Sequence, residues 1–252
     1  MKKTLLTVCL VWMCFSLSAQ KIIDLSGKWS FSIDRQDNGE KEKWFSHTLN
    51  DCINLPGSMP EKLKGDEVTA KTQWTGSLYD SSYYYNPYME KYRKEGNIKF
   101  PFFLTPDKHY VGVAWYQKEV NIPADWKGER ILLFLERPHI ETTVWVNGQK
   151  TGMQNSLCVP HQYDITRYVR PGKCTITIRV DNRIKEINVG PDSHSITDQT
   201  QGNWNGIVGR ICLQMTPKTY FDDIQIYPEP EQKLARVKVV IKGAGTAKVK
   251  LS

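Results

Sequence analysis

The sequence lacks most of the motifs that identify metal, nucleotide and redox proteins. Its five histidines are scattered, its cysteines form no Cys-x-x-Cys pair, and no glycine-rich phosphate loop follows a strand pattern. A Ser-His-Asp signature in a nucleophile elbow is also missing. We therefore expect no metal site and no cofactor, and none of these chemistries is favoured for the chain.

Blocks of like charge are missing as well. The formal net charge is +7, but the lysines and arginines are scattered, without a run of five or more. A nucleic-acid-binding protein would concentrate this charge in a stripe. We therefore expect no nucleic-acid partner, and we take the charge balance to bear on solubility alone.

Long apolar runs are confined to the N-terminus. Lys2 and Lys3 precede an apolar stretch at 5–17, and Ala19 offers a small residue for cleavage. This is the arrangement of a secretory signal peptide, and the run is too short to be a convincing membrane span. We expect residues 1–19 to be removed and the mature chain to be exported, either periplasmic or secreted, with no membrane span.

Four cysteines remain after this segment: Cys52, Cys158, Cys174 and Cys212. An exported protein permits disulfides, so their pairing stays open at this point. Cys174 and Cys212 fall in strand-like runs, where a buried thiol behaves as a small apolar side chain and needs no partner. A chain of this length buries a full core without disulfides.

Short strand patterns separated by turns fill most of the chain. Residues 174–180 alternate apolar and polar side chains, and Ile131–Leu135 is wholly apolar, as in a strand covered on both faces. Asn147-Gly148 is a strong hairpin signal. Long amphipathic helix patterns do not occur. The sequence therefore predicts an all-β fold, an antiparallel jelly-roll sandwich, and leaves a structural calcium ion open.

Residues 66–110 interrupt this pattern with an irregular, aromatic-rich insertion. Trp74 has polar neighbours, and the stretch Tyr83–Tyr88 carries four tyrosines. Long insertions often contain ligand-binding residues. Most of these aromatics, however, are expected to form a lid on the sandwich or to cover a neighbouring domain. Among them Trp74 is the candidate for a ligand contact.

The stretch Asp198–Arg210 combines three glycines, two asparagines, two glutamines and one tryptophan. The glycines permit a bent loop that then enters a strand. The uncharged amides of Gln201, Asn203 and Asn205 beside the flat ring of Trp204 suit a sugar, which offers hydroxyls at its edge and C–H groups on its faces. The alternative is a tight glycine turn whose tryptophan plugs one end of the sandwich.

Together these motifs resemble the sugar-binding jelly-roll domain that opens family 2 glycoside hydrolases, the β-galactosidase and β-glucuronidase group. The matching stretches are Leu25–Phe31, Trp115-Tyr116, Glu141–Gly148, Tyr163–Thr166, Pro171-Gly172, Ile178–Arg183 and Gly202–Gly209. The likeness covers about residues 24–218, and the stretch from Tyr220 onward resembles the start of the family's immunoglobulin-like domain. After the expected signal peptide at 1–19, it implies a jelly-roll sugar-binding domain at 20–219 and an incomplete immunoglobulin-like domain at 220–252.

The resemblance implies a glycan ligand but no catalytic residue in this chain. In the family a pair of glutamates on a later (β/α)8 barrel performs retaining hydrolysis, and such a barrel needs roughly 200 residues or more. We therefore expect this chain alone to be inactive and to adjoin the barrel in a full-length enzyme. We do not expect Asp192 and Asp198 to be catalytic residues. Glu141 and Asp181 are expected to be ion-pair or turn partners.

The leading hypothesis is thus a non-catalytic N-terminal portion of a family 2 β-glycosidase. Gln201, Asn203, Trp204 and Asn205 are its candidate sugar contacts, with Trp74 as a weaker one, although Trp204 also suits packing on the barrel. The alternatives are a free-standing carbohydrate-binding module or lectin, and a structural or adhesive sandwich without a sugar ligand. The glycan, its linkage and the oligomeric state stay open.

Overall fold

The computed structural model describes residues 21–185 and 192–243. The predicted signal peptide at 1–19 and the predicted final strand at 247–251 lie outside these ranges. Within them, none of the helices has the length and apolar character needed to cross a membrane.

Short strands make up most of the described chain. They are β1 (Lys21–Asp24), β2 (Gly27–Asp34), β3 (Asp51–Leu55), β4 (Gly57–Ser58), β5 (Asp66–Glu67), β6 (Lys108–His109), β7 (Val113–Ile122), β8 (Arg130–Pro138), β9 (Glu141–Val146), β10 (Gln149–Asn155), β11 (His161–Asp164), β12 (Gly172–Asp181), β13 (Gly206–Thr216), β14 (Tyr220–Glu229) and β15 (Leu234–Lys242). One α-helical turn, α1 (Ser82–Tyr85), is accompanied by 3₁₀ turns at Trp44–Ser46, Pro60–Lys62, Pro87–Tyr92, Ala124–Trp126, Thr166–Tyr168 and Pro230–Gln232.

Two antiparallel sheets form a sandwich, which confirms the predicted all-β class. One sheet has the order β1-β13-β8-β11, with β4 also paired to β13, and the other has the order β10-β9-β12-β7-β2-β3. The inner faces share one core, in which Trp29, Tyr116 and Leu133 are fully buried. Each such side chain contributes roughly 1.5–3 kcal/mol through burial, so this core holds the sheets together.

Local signals in the sequence place two of these elements correctly. Every residue of the apolar run Ile131–Leu135 in β8 is buried, as expected for a strand covered on both faces. Between β9 and β10, Asn147 and Gly148 both take positive φ angles of 51° and 77°. Two consecutive positive φ angles are what a type I′ hairpin turn requires, which confirms the hairpin.

The outer face of β12 differs from the prediction, because its polar side chains are also buried. The alternation is present, but Thr177, Arg179 and Asp181 are all shielded from water. The segment before β3 folds across this face, where the ring of Phe45 stacks on Trp145 with centroids 5.2 Å apart. A cover contributed from more than 100 residues away is invisible in the alternation of one strand.

Ion pairs make this burial tolerable. Asp181 pairs with Arg183 at 2.6 Å and with Lys185 at 2.7 Å, and Glu141 pairs with Arg179 at 3.2 Å. Burial acts to raise the pKa of Asp181, but hydrogen bonds from Arg183 and Lys185 outweigh it and hold that pKa below its usual value. The expectation that Glu141 and Asp181 are ion-pair partners is confirmed.

The insertion at 66–110 is irregular, as predicted, and its tyrosines differ widely in exposure. Tyr83 is buried and its hydroxyl donates to the carbonyl oxygen of Tyr92 at 2.8 Å. By contrast Tyr85 and Tyr88 are 71% and 87% exposed. Tyr83 therefore packs inside the insertion, and the interpretation of the aromatics as a lid on the sandwich or a cover for a neighbouring domain stays a prediction.

Strands β14 and β15 form a separate two-stranded sheet after the sandwich. Their apolar side chains Ile224 and Ile226 are exposed, and the Arg130 guanidinium lies 3.8 Å above the Tyr220 ring at the start of β14. A lone hairpin buries too little surface to be independently stable. The assignment of 220–252 to a second domain stays a prediction.

The four cysteines of the described ranges are unpaired. Cys174 and Cys212 are buried, which confirms their expected role as small apolar side chains, whereas Cys52 and Cys158 are exposed. Burial raises the pKa of the Cys174 thiol to about 11, so that side chain stays neutral and unreactive at neutral pH.

Candidate functional site

The loop that leads into β13 has a backbone that glycine makes possible. Gly202 has φ +75°, and Gly206 has φ +146°. A Cβ atom on Gly206 would lie 2.5 Å from the carbonyl oxygen of Gly57, so no larger residue fits without displacing β4. These glycines bring residues 198–205 against the insertion at one end of the sandwich.

Asp198 connects this loop to the insertion. Its Oδ1 accepts from the Asn203 backbone N–H at 2.6 Å, and its Oδ2 accepts from the Thr75 backbone N–H at 2.7 Å. The His109 ring nitrogen Nε2 lies 3.2 Å from the same Oδ2, and the Asp198 carbonyl accepts from the Leu104 N–H at 2.8 Å. Both carboxylate oxygens are engaged, so Asp198 fixes the loop and the insertion to each other.

Asn205 is fully buried and its amide is saturated within the protein. Its Nδ2 donates to the carbonyl oxygens of Gly112 and Val180, both at 3.0 Å. Its Oδ1 accepts from the Tyr116 hydroxyl at 2.7 Å. The side chain therefore joins β13 to β7 and β12 and does not face solvent.

Asn203 is buried in the same way. Its Nδ2 donates to Thr75 Oγ1 at 3.0 Å and to the Asn182 carbonyl at 3.1 Å, and its Oδ1 accepts from Asn182 Nδ2 at 2.9 Å. As sugar contacts, Asn203 and Asn205 stay predictions, but the hydrogen-bonding capacity that motivated them is used inside the chain. The solvent side of the loop belongs to Gln201 and Trp204.

Trp204 is half-buried and stacks on His139. The two ring centroids are 4.5 Å apart and the planes differ by 20°. Burial lowers the pKa of His139 to about 4, against smaller opposing effects of Asn203 and Asp198, so the imidazole is neutral near pH 7. Gln201 is exposed beside this ring. One indole face is thus held in place while the other side of the residue reaches the surface.

Trp204 forms one wall of a groove, which we call the Trp204 groove, with a volume of about 350 Å³. Its opposite wall comes from the insertion, and its lining residues are Ser58, Pro60, Leu104, Thr105, Pro106, Asp198, Gln201, Gly202, Asn203 and Trp204. Apolar surfaces and uncharged polar groups dominate this lining. Such a surface can bind a ring with an apolar face and a hydroxylated edge.

Trp74, the weaker candidate, lies inside the insertion and not in the lining of the Trp204 groove. Its ring packs on Phe100, Phe103 and His109 at centroid distances of 5.2, 5.5 and 4.7 Å. The surroundings are aromatic, although its sequence neighbours are polar. Trp74 therefore supports the wall that carries Leu104, and its role as a sugar contact stays a prediction.

The insertion wall was missed by sequence reasoning. Leu104, Thr105 and Pro106 carry no motif, and they meet the loop where the Leu104 N–H donates to the Asp198 carbonyl oxygen. Pro60 lies in a stretch with loop composition, which is the one signal that could have drawn attention to it. Across residues 21–185 and 192–243, no group of three or more His, Cys, Asp or Glu side chains could hold a metal ion.

Comparisons with known proteins place this geometry in context. The family model described as "Glycosyl hydrolases family 2, sugar binding domain" matches residues 22–217. The β-glucuronidase of Homo sapiens is 24% identical over 258 residues, covering 90% of this chain and 34% of that protein. The β-glucuronidase of Paenibacillus borealis is 27% identical over 222 residues, covering 82% of this chain and 31% of that protein.

Solved structures show the same fold. A β-glucuronidase from an uncultured Clostridium sp. superimposes with a TM-score of 0.60 at 21% identity, covering 89% of this chain and 34% of that one. A β-glucuronidase from Ruminococcus gnavus in complex with D-glucuronic acid gives 0.59 at 17% identity, covering 89% and 35%. The chain spans about a third of the length of these relatives.

Proposed function

Because this chain belongs to glycosyl hydrolase family 2, we propose that it forms the non-catalytic, sugar-facing N-terminal portion of a β-glycosidase. The observation that carries the proposal is the Trp204 groove. An indole held by His139 stands opposite Leu104, with the exposed amide of Gln201 beside it. Proteins bind pyranose rings with this combination of an aromatic face and neutral hydrogen-bonding groups.

The chemistry of hydrolysis supports a catalytic centre outside this groove. Retaining glycosidases need two carboxyl groups about 5–5.5 Å apart. The groove lining contains the carboxylate of Asp198, and both of its oxygens accept hydrogen bonds from the protein itself. We therefore propose that a barrel domain supplies the catalytic pair and that the Trp204 groove forms part of its rim.

Export and a second β domain belong to the same proposal. The two lysines, the apolar run and the small residue within 1–19 support a signal peptide that directs the protein to the periplasm or the medium. The exposed apolar side chains of the β14–β15 hairpin support its assignment to an immunoglobulin-like domain.

Ligand-observed NMR on this chain, with a panel of methyl and phenyl β-glycosides, tests the sugar-binding role. We expect binding that Trp204→Ala reduces by about tenfold or more, because loss of the ring removes the stacking surface. Trp44→Ala is the matched control, since Trp44 is also partly exposed but packs on Trp115 at the outer sheet face. It should leave binding unchanged.

Three outcomes would contradict parts of the proposal. Binding that is unchanged in Trp204→Ala would show that the sugar does not bind in the Trp204 groove. A Kd of about 1 μM or lower for this chain alone would favour a free-standing lectin. Hydrolysis of phenyl β-glycosides at rates of a full-length enzyme would refute the non-catalytic role.

A further inference from the structure

We infer that the Trp204 groove takes an uncharged ring of the substrate and discriminates against a sugar that carries a carboxylate. The inference rests on the proposed function, since it names the kind of group that the same groove binds. An uncharged ring with a flat apolar face has two sources here, a neutral pyranose or the aglycone of a glycoside.

The described lining of the Trp204 groove contains no cationic side chain. It comprises four apolar side chains, several neutral polar groups and Asp198, without a lysine, arginine or histidine. A carboxylate that leaves water needs a charged or well-placed donor in exchange. Arginine and lysine are the side chains that usually provide it, and neither lines this groove.

The buried carboxylate of Asp198 lies beneath the groove. Asp198 is 1% exposed, and its two carboxylate oxygens are occupied by the backbone N–H groups of Asn203 and Thr75 and by His109. Those partners satisfy the carboxylate without leaving a free donor for a second one. A ligand carboxylate in the groove would meet a like charge in a poorly hydrated setting, where repulsion is strong.

The ring stacked directly behind Trp204 is that of His139. Its burial keeps the imidazole neutral near pH 7. The ring behind Trp204 therefore adds no positive charge to the groove. The buried Arg179 and the more exposed Arg183 and Lys185 lie at the outer sheet face, where Asp37, Glu141 and Asp181 already pair with them. These three cations are therefore not available to a ligand in this groove.

According to this inference, the carboxylate of a uronic acid ligand does not bind in the Trp204 groove. The Ruminococcus gnavus β-glucuronidase was solved with D-glucuronic acid, whose carboxylate calls for a cationic partner. If the full protein acts on a uronide, that carboxylate is bound away from the Trp204 groove, and the groove holds the uncharged part.

A matched pair of ligands tests the inference on this chain. Phenyl β-D-glucopyranoside and phenyl β-D-glucopyranosiduronic acid differ only in having a hydroxymethyl group or a carboxylate at C6. NMR titration at pH 7 and low salt should give a Kd about tenfold lower for the glucoside. Trp204→Ala should abolish the preference together with the binding.

A designed cation sharpens the test. Gln201→Lys places an ammonium group beside the ring and should reduce the preference for the glucoside to about threefold or less, because the carboxylate then has a partner. Gln232→Lys adds the same charge in the exposed turn between β14 and β15 and should leave the preference unchanged. Equal effects of both lysines would mean that net charge alone is being measured, which would overturn the assignment to this groove.

Two further ligands identify the source of the ring. Trp204-dependent binding of methyl β-D-glucopyranoside assigns the groove to the sugar, whereas binding of phenol without the methyl glucoside assigns it to the aglycone. A glucuronide that binds the unaltered chain as tightly as the glucoside, or more tightly, overturns the inference and leaves the proposed sugar-binding function intact. If none of these ligands binds in a Trp204-dependent way, the proposed function itself fails.

Discussion

Two polar clusters in this sandwich connect buried groups, one through neutral amides and the other through charged side chains. The amide cluster beneath the Trp204 groove consists of Tyr116, Asn182, Asn203 and Asn205. The charged cluster on the outer sheet face consists of Asp37, Glu141, Arg179, Asp181, Arg183 and Lys185. Both connect strands and loops that lie far apart in the sequence.

The difference lies in what each cluster does to its surroundings. Neutral amides satisfy backbone carbonyl groups without adding charge, so the floor of a groove can be rigid and still accept an uncharged ligand. Buried charges require several partners each, and removing one leaves the others unpaired. The charged cluster therefore fixes the cover over β12, and the amide cluster fixes the shape of the candidate site.

The largest effect should follow from breaking the charged cluster. Asp181→Ala removes the carboxylate that pairs with Arg179, Arg183 and Lys185. We expect the free energy of unfolding to fall by about 3–5 kcal/mol, because the buried Arg179 guanidinium loses a partner. Urea denaturation followed by circular dichroism measures it.

Asp125→Ala is the control for this change. Asp125 pairs with Lys21 at the surface at 2.5 Å, where water replaces a lost partner. Little change in stability is expected. Comparable losses in the two variants would show that the charged cluster is no more demanding than a surface ion pair.

The groove region and the charged cluster should affect stability in different pH ranges. His139 has a folded pKa of about 4, below its ordinary value near 6.5. Between these values the unfolded chain binds a proton that the folded chain does not, so stability falls as the pH drops from about 6.5 to 4, by up to about 3 kcal/mol. His139→Phe should flatten this part of the stability curve.

The charged cluster should lose its contribution to stability at a lower pH than His139. Burial acts to raise the pKa of Asp37 and Asp181, but hydrogen bonds from Arg179 and Arg183 at Asp37, and from Arg183 and Lys185 at Asp181, hold both values below the ordinary one. Their contribution is complete above the unfolded pKa and is lost as the pH falls through the folded values. A slope between pH 4 and 6.5 that His139→Phe leaves unchanged would assign that window to other groups, such as His161, whose pKa burial also lowers.

An intermediate effect is expected in the amide cluster. Asn205→Ala removes one donor to the carbonyl oxygens of Gly112 and Val180 and the acceptor of the Tyr116 hydroxyl. We expect a loss of about 2 kcal/mol, the usual cost of unsatisfied buried groups. Thermal and urea unfolding both measure it.

A double variant checks the cause. Tyr116→Phe removes the hydroxyl that donates to Asn205, so the combination with Asn205→Ala should cost less than the sum of the single changes. Strict additivity would show that the hydrogen bond between the two side chains contributes nothing, and the amide cluster would then be a packing feature only.

Local pattern was sufficient for the strands and insufficient for the site. The apolar run in β8 and the Asn147-Gly148 turn depend on neighbouring residues, so sequence reasoning placed them correctly. The fate of Asn203 and Asn205 depends on Asn182 and on Tyr116, which lies 89 residues from Asn205. An exposed amide and a buried, saturated amide look identical in a glycine-rich loop.

The wall of the groove was hidden for the same reason. Leu104 and Pro106 belong to an insertion without periodicity, which Leu104 and Thr75 join to the loop through long-range hydrogen bonds to Asp198. Trp74 shows the converse case, because its sequence neighbours are polar while its half-buried ring packs on Phe100 and Phe103. Side-chain environment in irregular segments is a tertiary property.

The smallest effect on stability should come from Gln201→Ala, and it gives the sharpest contrast with Asn205→Ala. Gln201 is exposed beside the groove, whereas Asn205 lies four residues later in the same loop and is fully buried. We expect the free energy of unfolding to change by less than about 0.5 kcal/mol, as for other surface substitutions, while binding of phenyl β-D-glucopyranoside weakens. Urea denaturation and NMR titration on the same sample distinguish the two readouts. A loss of stability as large as that of Asn205→Ala would place the Gln201 amide among the structural groups and leave Trp204 as the binding residue of the loop.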